Sequence, residues 1–573
     1  MINITFSVPT TKNLLVLALI SALLMSGGWY FGFLSVGMFA GFSLILLIEK
    51  NISIETGKKK GKIFFIYTLL ALFMWNVFTT WWVWNASEVG AIAMLIANTL
   101  LMSIPFVLYR RTKAVLGEDK GLLAFIFYWI AFEYLHLNWD LSWAWLTLGN
   151  GFSYAHTWVQ WYEYTGVLGG SVWVLLGNII FFKLLTTNNQ HNKKVFGMYV
   201  TALIALPIGF SYILYYNFDI DKKNNQNTAE IVVVQPNIDS YTEKFSDGKN
   251  FIPVQKQLQI SKNLAQTQIT QQTQLTVFPE TAVEVQVREQ DLMIKRKMPA
   301  QKFDNQKFIN KNIKSDTIIQ NNEQDISFTP ALDTLREIYK NHPQTAVLSG
   351  AITHEFYKTK ATQTATAHAG AFYDSFNTAL FFNGKADSVA IYHKSKLVPG
   401  VESMPYPAVF SILSKVMINI GGVSTGLARQ KEREVFYQNK LKIAPIICYE
   451  SIYGEFVGEY VKKGANMLCI ITNDGWWGNT SGYKQHFAHT CLRAIETRKY
   501  VARSANTGIS GFVDARGDVL FASNYDDRKA FRGTVYLNDI QTTYTKYGDY
   551  LGRLCAFLGA FLLISVIVKI IRK

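Results

Sequence analysis

Long uncharged apolar runs crowd the first 217 residues and the last 25, and the chain between them alternates short apolar and polar stretches. A run needs roughly 18 or more mostly apolar residues to cross the hydrocarbon core as a helix. Seven lie near 12–30, 31–48, 63–83, 90–109, 121–137, 165–184 and 195–216, and an eighth, LCAFLGAFLLISVIVKII, at 554–571. No small-residue cleavage site followed by a soluble segment closes the first run, so it reads as a span rather than a secretion signal. The pattern changes near residue 228. AEIVVVQPNI, LTVFPETAV, QTAVLSGAI, LKIAPIIC and NMLCIIT read as strands, and VQKQLQISKNLAQTQ, ALDTLREIYKNH, YGEFVGEYVKKG and HFAHTCLRAIETRK as helices. That alternation predicts an α/β layered domain, and the hairpin-like TALFFNGKADSVAIYHK and ISGFVDARGDVLF make its sheet mixed.

Three parts follow: a membrane domain of seven spans over 1–217, an α/β domain over 228–540, and a final span with its tail over 551–573. Two stretches stand apart. Residues 286–326 are rich in Lys, Gln, Asn and Asp and read as a polar insertion. PYPAVFSILSKVMINIGG at 405–422 is too short to span yet apolar for a loop, and reads either as an interfacial segment or as a helix packed on its own domain.

Charge sets the orientation. Lys58, Lys59, Lys60 and Lys62 follow span two, Arg110, Arg111 and Lys113 follow span four, Lys193 and Lys194 follow span six, and Arg572 and Lys573 end the chain. The alternate loops, GWYFG and WNASEVG, carry no Lys or Arg. Both termini are thereby predicted on the cytoplasmic side and the α/β domain on the outer face. Basic inner loops also account for part of the net charge of +15, and no basic patch interleaved with aromatics points to nucleic acid. Four Cys in 573 residues make no disulfide framework, and no Cys/His cluster has metal-ligand spacing, so neither a metal nor another cofactor is expected.

Three motifs end predicted strands, where α/β domains place their reactive groups. VFPETA carries Glu280, YHKSKLVPGVE carries Lys394, Lys396 and Glu402, and ICYE carries Cys448, Tyr449 and Glu450. Singly these read as a turn carboxylate, a surface lysine and a buried thiol. Together they supply what acyl transfer needs. A thiol is mostly protonated at neutral pH and requires a base, and the tetrahedral intermediate requires a fixed positive charge.

The trio on FPET, YxK and CYE motifs resembles the nitrilase superfamily of carbon–nitrogen hydrolases. HKSKLVPGVE, ITNDGWWG and QHFAHTCLRAIETRKYVARSANTGISGFVDARG are similar to elements of its membrane-bound branch, the apolipoprotein N-acyltransferases, as are WDLSWAWLTLGN and VQWYEYTGVLGGS. The resemblance covers nearly the whole chain. It implies a polytopic helical membrane bundle of about eight spans carrying an extracytoplasmic nitrilase-like α-β-β-α sandwich. Glu280 is then the general base, Lys394 the oxyanion partner in preference to Lys396, and Cys448 the nucleophile. Glu402, Tyr449, Glu450 and Trp476 match supporting or substrate-binding positions. Two departures stand out: LVPGVES replaces the common order before the second glutamate, and Phe245 stands where the family has Trp.

The implied reaction moves an acyl chain from a membrane phospholipid to Cys448, then to the α-amino group of an S-diacylglyceryl-cysteine on an apolipoprotein. The partners are those two lipids and the bilayer, in a bacterial inner membrane. The trio also serves a membrane-anchored amidase of a small substrate, and a transporter reading lacks paired broken spans. Trp143, Trp145, Trp476 and Trp477 are candidates to line a lipid entry, Glu133 and Asp140 for polar groups near the membrane, and Arg498, Lys499 and Arg503 for headgroup contacts or solvated helix-end charges. The orientation is testable in a chain whose own cysteines are replaced. A cysteine at Asp247 should react with an impermeant maleimide on intact cells, and one at Lys193 only after the membrane is opened; labelling of both from one side would overturn the assignment.

Overall fold

The computed structural model describes residues 11–54, 60–218, 227–245, 248–288, 329–368, 370–383, 389–406 and 426–572. Among them, eight helices are long and apolar enough to cross a membrane. Seven precede the α/β part: α1 (Thr11–Ser26), α2 (Met38–Ile54), α3 (Lys60–Thr80), α4 (Glu88–Leu116), α5 (Glu118–Asn138), α6 (Tyr162–Thr186) and α7 (Gln190–Asn217). The eighth is Tyr550–Ile571. Their bounds lie within seven residues of those of the eight apolar runs, because in hydrocarbon only helix satisfies every backbone group along such a run.

An aromatic knot centres the bundle. The Phe42 ring lies 4.5 Å from Trp129, 5.3 Å from Phe106 and 5.8 Å from Trp75, each edge-on, the arrangement that ring quadrupoles favour. By contrast α7 presents Leu206, Phe210, Ile213 and Tyr216 outward, as lipid-facing residues should be.

The α/β part is two stacked sheets. One joins β1 (Thr228–Gln235), β2 (Thr273–Val277), β3 (Val283–Arg288), β4 (Ala346–Tyr357), β5 (Thr366–His368), β6 (Ala371–Phe382), β7 (Val389–His393) and β14 (Lys529–Tyr536). The other runs in the order β13 (Val519–Ala522), β12 (Gly511–Val513), β11 (Val501–Ala505), β10 (Met467–Thr472), β9 (Leu441–Ile447) and β8 (Phe436–Gln438). Alternation along β1 shows why layers form. Ile231 and Val233 join the core between the sheets, whereas Val232 and Val234 pack under the helices Val254–Gln266 and Thr329–Asn341 with Leu258, Leu335 and Ile338. Phe381 and Phe436 stack across the gap with centroids 5.1 Å apart. Helices Gly454–Lys462 and Ser481–Thr497 bury residues along the second sheet. The result is the expected α-β-β-α sandwich, and β6–β7 and β12–β13 are the two expected antiparallel hairpins.

The sequence reading needs three corrections, to the polar stretch, to Trp145 and to the basic group Arg498, Lys499 and Arg503. Residues 286–288 belong to β3, so the polar stretch does not begin at 286. The remainder of 286–326, and 407–422 of the apolar segment at 405–422, lie outside the described residues. Trp145 lines no lipid entry: it is fully buried among Trp82, Trp143 and Trp477, and its indole donates to Gln485 Oε1 at 2.7 Å. Arg498, Lys499 and Arg503 are neither solvated nor turned to headgroups. All three are buried and spend their donors inside the protein, Lys499 on Asn538 and Ile540.

Arg498 instead clamps the sandwich onto the membrane helices. Its Nε donates to Glu163 at 2.6 Å and its other nitrogens reach the side chain and carbonyl of Gln160 at 2.7 and 3.1 Å. Nearby, Gly166 breaks the first turn of α6 at φ +61°, and Glu496 accepts from the freed Val167 N–H at 3.0 Å. Arg498→Ala strips Gln160 and Glu163 of a buried cation and should destabilise the detergent-solubilised protein by about 3 kcal/mol. A lower melting temperature by intrinsic fluorescence is expected, and an unchanged one would overturn the clamp.

Candidate active site

Strand pairing brings the three motifs together. β9, β10 and β11 run parallel, so Cys448, Asn473 and Asn506, the residues just past their ends, emerge at one edge. From the facing sheet, the chain leaving β2 stays paired through Phe278, whose N–H donates to Leu348 O at 2.8 Å, and delivers Glu280. Gly350 on β4 permits this: a Cβ there would stand 2.6 Å from the Glu280 Cα. Lys394 follows β7, its N–H bonded to the Asn377 carbonyl at 2.8 Å.

At the centre sits a buried ammonium. Lys394 Nζ donates to Glu280 Oε1 at 3.1 Å and to Glu402 Oε1 at 2.9 Å. Asn377 Nδ2 bridges the same two oxygens at 2.7 and 3.1 Å. Backbone N–H groups take the remaining oxygens, Asn473 on Glu280 Oε2 at 3.0 Å and Val398 on Glu402 Oε2 at 2.8 Å. The altered order of LVPGVES leaves Glu402 in place, since Gly400 takes φ +81° and the loop closes on itself. Burial disfavours the Lys394 charge, but the two carboxylates outweigh it and hold the pKa well above the ordinary lysine value.

Cys448 opens a short 3-10 turn, Cys448–Ile452, with φ +50°, a left-handed conformation that strains a residue bearing a Cβ. Burial and the Glu280 carboxylate push its thiol up, and Lys394 pulls the other way. The resting thiol is therefore protonated, and it shares a water-poor site with a carboxylate able to take the proton and an ammonium able to meet a new negative charge.

Glu450 buckles two of the motifs together. Its Oε1 accepts from Ser395 N–H at 2.6 Å and Tyr392 O–H at 2.7 Å, its Oε2 from Ile447 N–H at 2.9 Å, and burial pushes its pKa up to about 7. Tyr449 points at the membrane helices, donating to Ser142 O at 3.1 Å. Lys396 reaches the same way, to Leu137 O at 3.0 Å at the end of α5, which removes it from the reacting groups. Trp476 stacks on Phe245 at 5.7 Å and meets Tyr241 edge-on, so Phe245 supplies a ring where the family has Trp. Glu133 lies away from the trio, bonded to Trp129 and the Leu148 N–H, and Asp140 faces Arg429 at 3.5 Å.

The carbon-nitrogen hydrolase model matches residues 231–544, more than half of the chain. The chain belongs to that family. The chain also matches, over residues 21–180, the apolipoprotein N-acyltransferase N-terminal domain. It is 27% identical to the apolipoprotein N-acyltransferase of Chlorobaculum tepidum over 92% of its own length and 91% of that protein. Identity is 23% with apolipoprotein N-acyltransferase 1 of Treponema denticola, over 98% of this chain and 97% of that one. With the Thermotoga maritima protein it is 33%, over 30% of this chain and 34% of that one.

Reading motifs missed Asn377 and the Asn473 N–H. An Asn in the middle of the apolar run FNTALFF was the available signal for the first; a backbone donor leaves none. Asn377→Asp would set a third carboxylate between Glu280 and Glu402. The melting temperature should fall at pH 7 and recover toward pH 5, as one of the crowded carboxyls takes up a proton. A variant as stable as the parent at pH 7 would show that the amide is not needed there.

Proposed function

We propose that this chain transfers an acyl chain from a membrane phospholipid to the α-amino group of an S-diacylglyceryl-cysteine at the N-terminus of an apolipoprotein, through a thioester on Cys448. The observation that carries the reading is the placement of the buried trio against the membrane helices. The turn bearing Cys448 is tied to the loop after α5 through Tyr449 and Tyr453, both bonded to Ser142. Likeness to apolipoprotein N-acyltransferases over nearly the whole chain supports the same assignment. A site at the bilayer surface also spares acyl chains from water, at about 0.8 kcal/mol per CH₂.

Each proton has a place. Glu280 takes the thiol proton as Cys448 Sγ attacks the ester carbonyl, and Lys394 stabilises the oxyanion. Collapse breaks the ester C–O bond, and the leaving lysophospholipid alkoxide recovers the proton from Glu280. The acceptor amine then attacks the thioester, gives its proton to Glu280, and the thiolate leaves and is reprotonated. Glu402 and Asn377 keep Lys394 and Glu280 apart at bonding distance, and Tyr449, Glu450 and Trp476 shape the walls. The sandwich lies on the outer face of a bacterial inner membrane with both termini inside, as the basic loops suggest.

Intact mass after incubation with phospholipid tests the reading. The parent should gain one acyl chain, removable by neutral hydroxylamine and discharged by a diacylated lipopeptide, and Cys448→Ala should gain none. Glu280→Gln and Lys394→Met should slow acylation by at least about a hundredfold. No adduct with accessible lipid would overturn phospholipid acyl transfer and favour an amidase that uses water in the second step.

A further inference from the structure

A buried polar chain lies against the backbone of Cys448, and the mechanism above does not use it. The Ser451 hydroxyl donates to the Cys448 carbonyl at 2.8 Å, and His486 Nε2 stands 3.0 Å from Ser451 Oγ and 3.3 Å from that same carbonyl oxygen. His486 Nδ1 faces Asp474 Oδ1 at 2.9 Å and Arg503 Nη2 at 3.0 Å, and Arg503 also pairs with Asp474 Oδ2 at 2.7 Å. Ser451, Asp474, His486 and Arg503 are all fully buried. With the Ser451 proton on the Cys448 carbonyl, Nε2 faces two acceptors, the Ser451 oxygen and that carbonyl, and a proton on Nε2 serves both.

Why would a carbonyl need two side-chain donors? Left-handed Cys448 is strained, and no glycine relieves it. A trans peptide is planar and rigid, so its C=O and N–H point in opposite directions. Anchoring the Cys448 oxygen toward the helix Ser481–Thr497 therefore turns the Tyr449 N–H the other way. Tyr449 lies in the first turn of Cys448–Ile452, where backbone donors lack a partner within the helix.

We propose that His486 is a positioning residue of the reaction. With Ser451 it locks the Cys448–Tyr449 peptide, so that the Tyr449 N–H meets the oxyanion from the side opposite Lys394. Asp474 and Arg503 hold the ring in register. Asp474 also adjoins Asn473, whose N–H binds Glu280, so one buried chain fixes both the nucleophile's peptide and the proposed base. This inference rests on the reading that Cys448 takes the acyl group.

Two reagents separate positioning from packing in the full-length, detergent-solubilised protein. Acylation by a p-nitrophenyl ester passes through an oxyanion; alkylation of Cys448 by iodoacetamide does not. In His486→Asn and His486→Ala the burst of p-nitrophenolate should slow at least about tenfold, with alkylation unchanged to within about twofold. His486→Gln, whose amide reaches the Nε2 position, should recover much of the burst. Ser451→Ala removes the other donor from the same carbonyl and should show the same split. A normal burst in His486→Asn overturns the proposal, as does equal loss of burst and alkylation in both His486→Asn and Ser451→Ala. Wild-type protein that shows the ester burst but takes no acyl group from phospholipid overturns the lipid reading and leaves the His486 comparison intact.

Discussion

A buried ammonium held between two carboxylates organises everything around it. Desolvating one charge costs several kcal/mol, so Lys394 is tolerable only because Glu280 and Glu402 lie at bonding distance and are themselves satisfied. Every carboxylate oxygen of the pair finds a donor, from Lys394, Asn377, Asn473 or Val398. These donors come from both sheets and from the loop after β7. The sandwich must therefore close fully before the charges are paired. Conversely, a loose sandwich would leave unpaired charge in the core. Stability and chemistry rest on one constraint here.

The same economy of polar groups joins the sandwich to the membrane helices. Arg498, Glu496 and Gln485 are side chains of the α/β part that each have a partner on the chain between residues 145 and 167. All but Glu163 are buried, so these groups have little water to fall back on. Side chains of the loops beside Lys394 and Cys448, Lys396 and Tyr449, end on carbonyls at and just past the end of α5. The trio is thus fixed relative to the membrane helices by hydrogen bonds as well as by the covalent chain. For a reaction whose proposed substrates stay in lipid, that placement matters as much as the identities of the reacting groups.

Several residues had one meaning as sequence and another in the fold. Lys396 sits two positions from Lys394 in the same motif, and only the side-chain directions separate them: one enters the charge cluster, the other caps a helix end. Arg498 and Lys499 follow a polar helix, where solvated charge is the common outcome, yet the αL turn at Arg498 folds the chain back under the sandwich. Trp145 lies in an aromatic-rich loop beside a span, where interfacial anchoring is common, and is instead sealed beneath Trp477.

What the sequence determined by itself follows from local physics. Apolar runs long enough to span, the asymmetry of basic loops, alternating strands and the motifs at their ends are properties of neighbouring residues, legible without knowing what they touch. The bundle and a layered α/β domain were readable for that reason, whereas the candidates Glu280, Lys394, Glu402 and Cys448 came from the likeness of their motifs to those of a known family. The tertiary structure alone decided which polar groups pair across long separations. Asn377 between two carboxylates, His486 at the Cys448 carbonyl and Arg498 against Glu163 join residues 25 to 335 positions apart. Burial makes such pairing obligatory, but it selects partners only once the sheets and helices have closed around them.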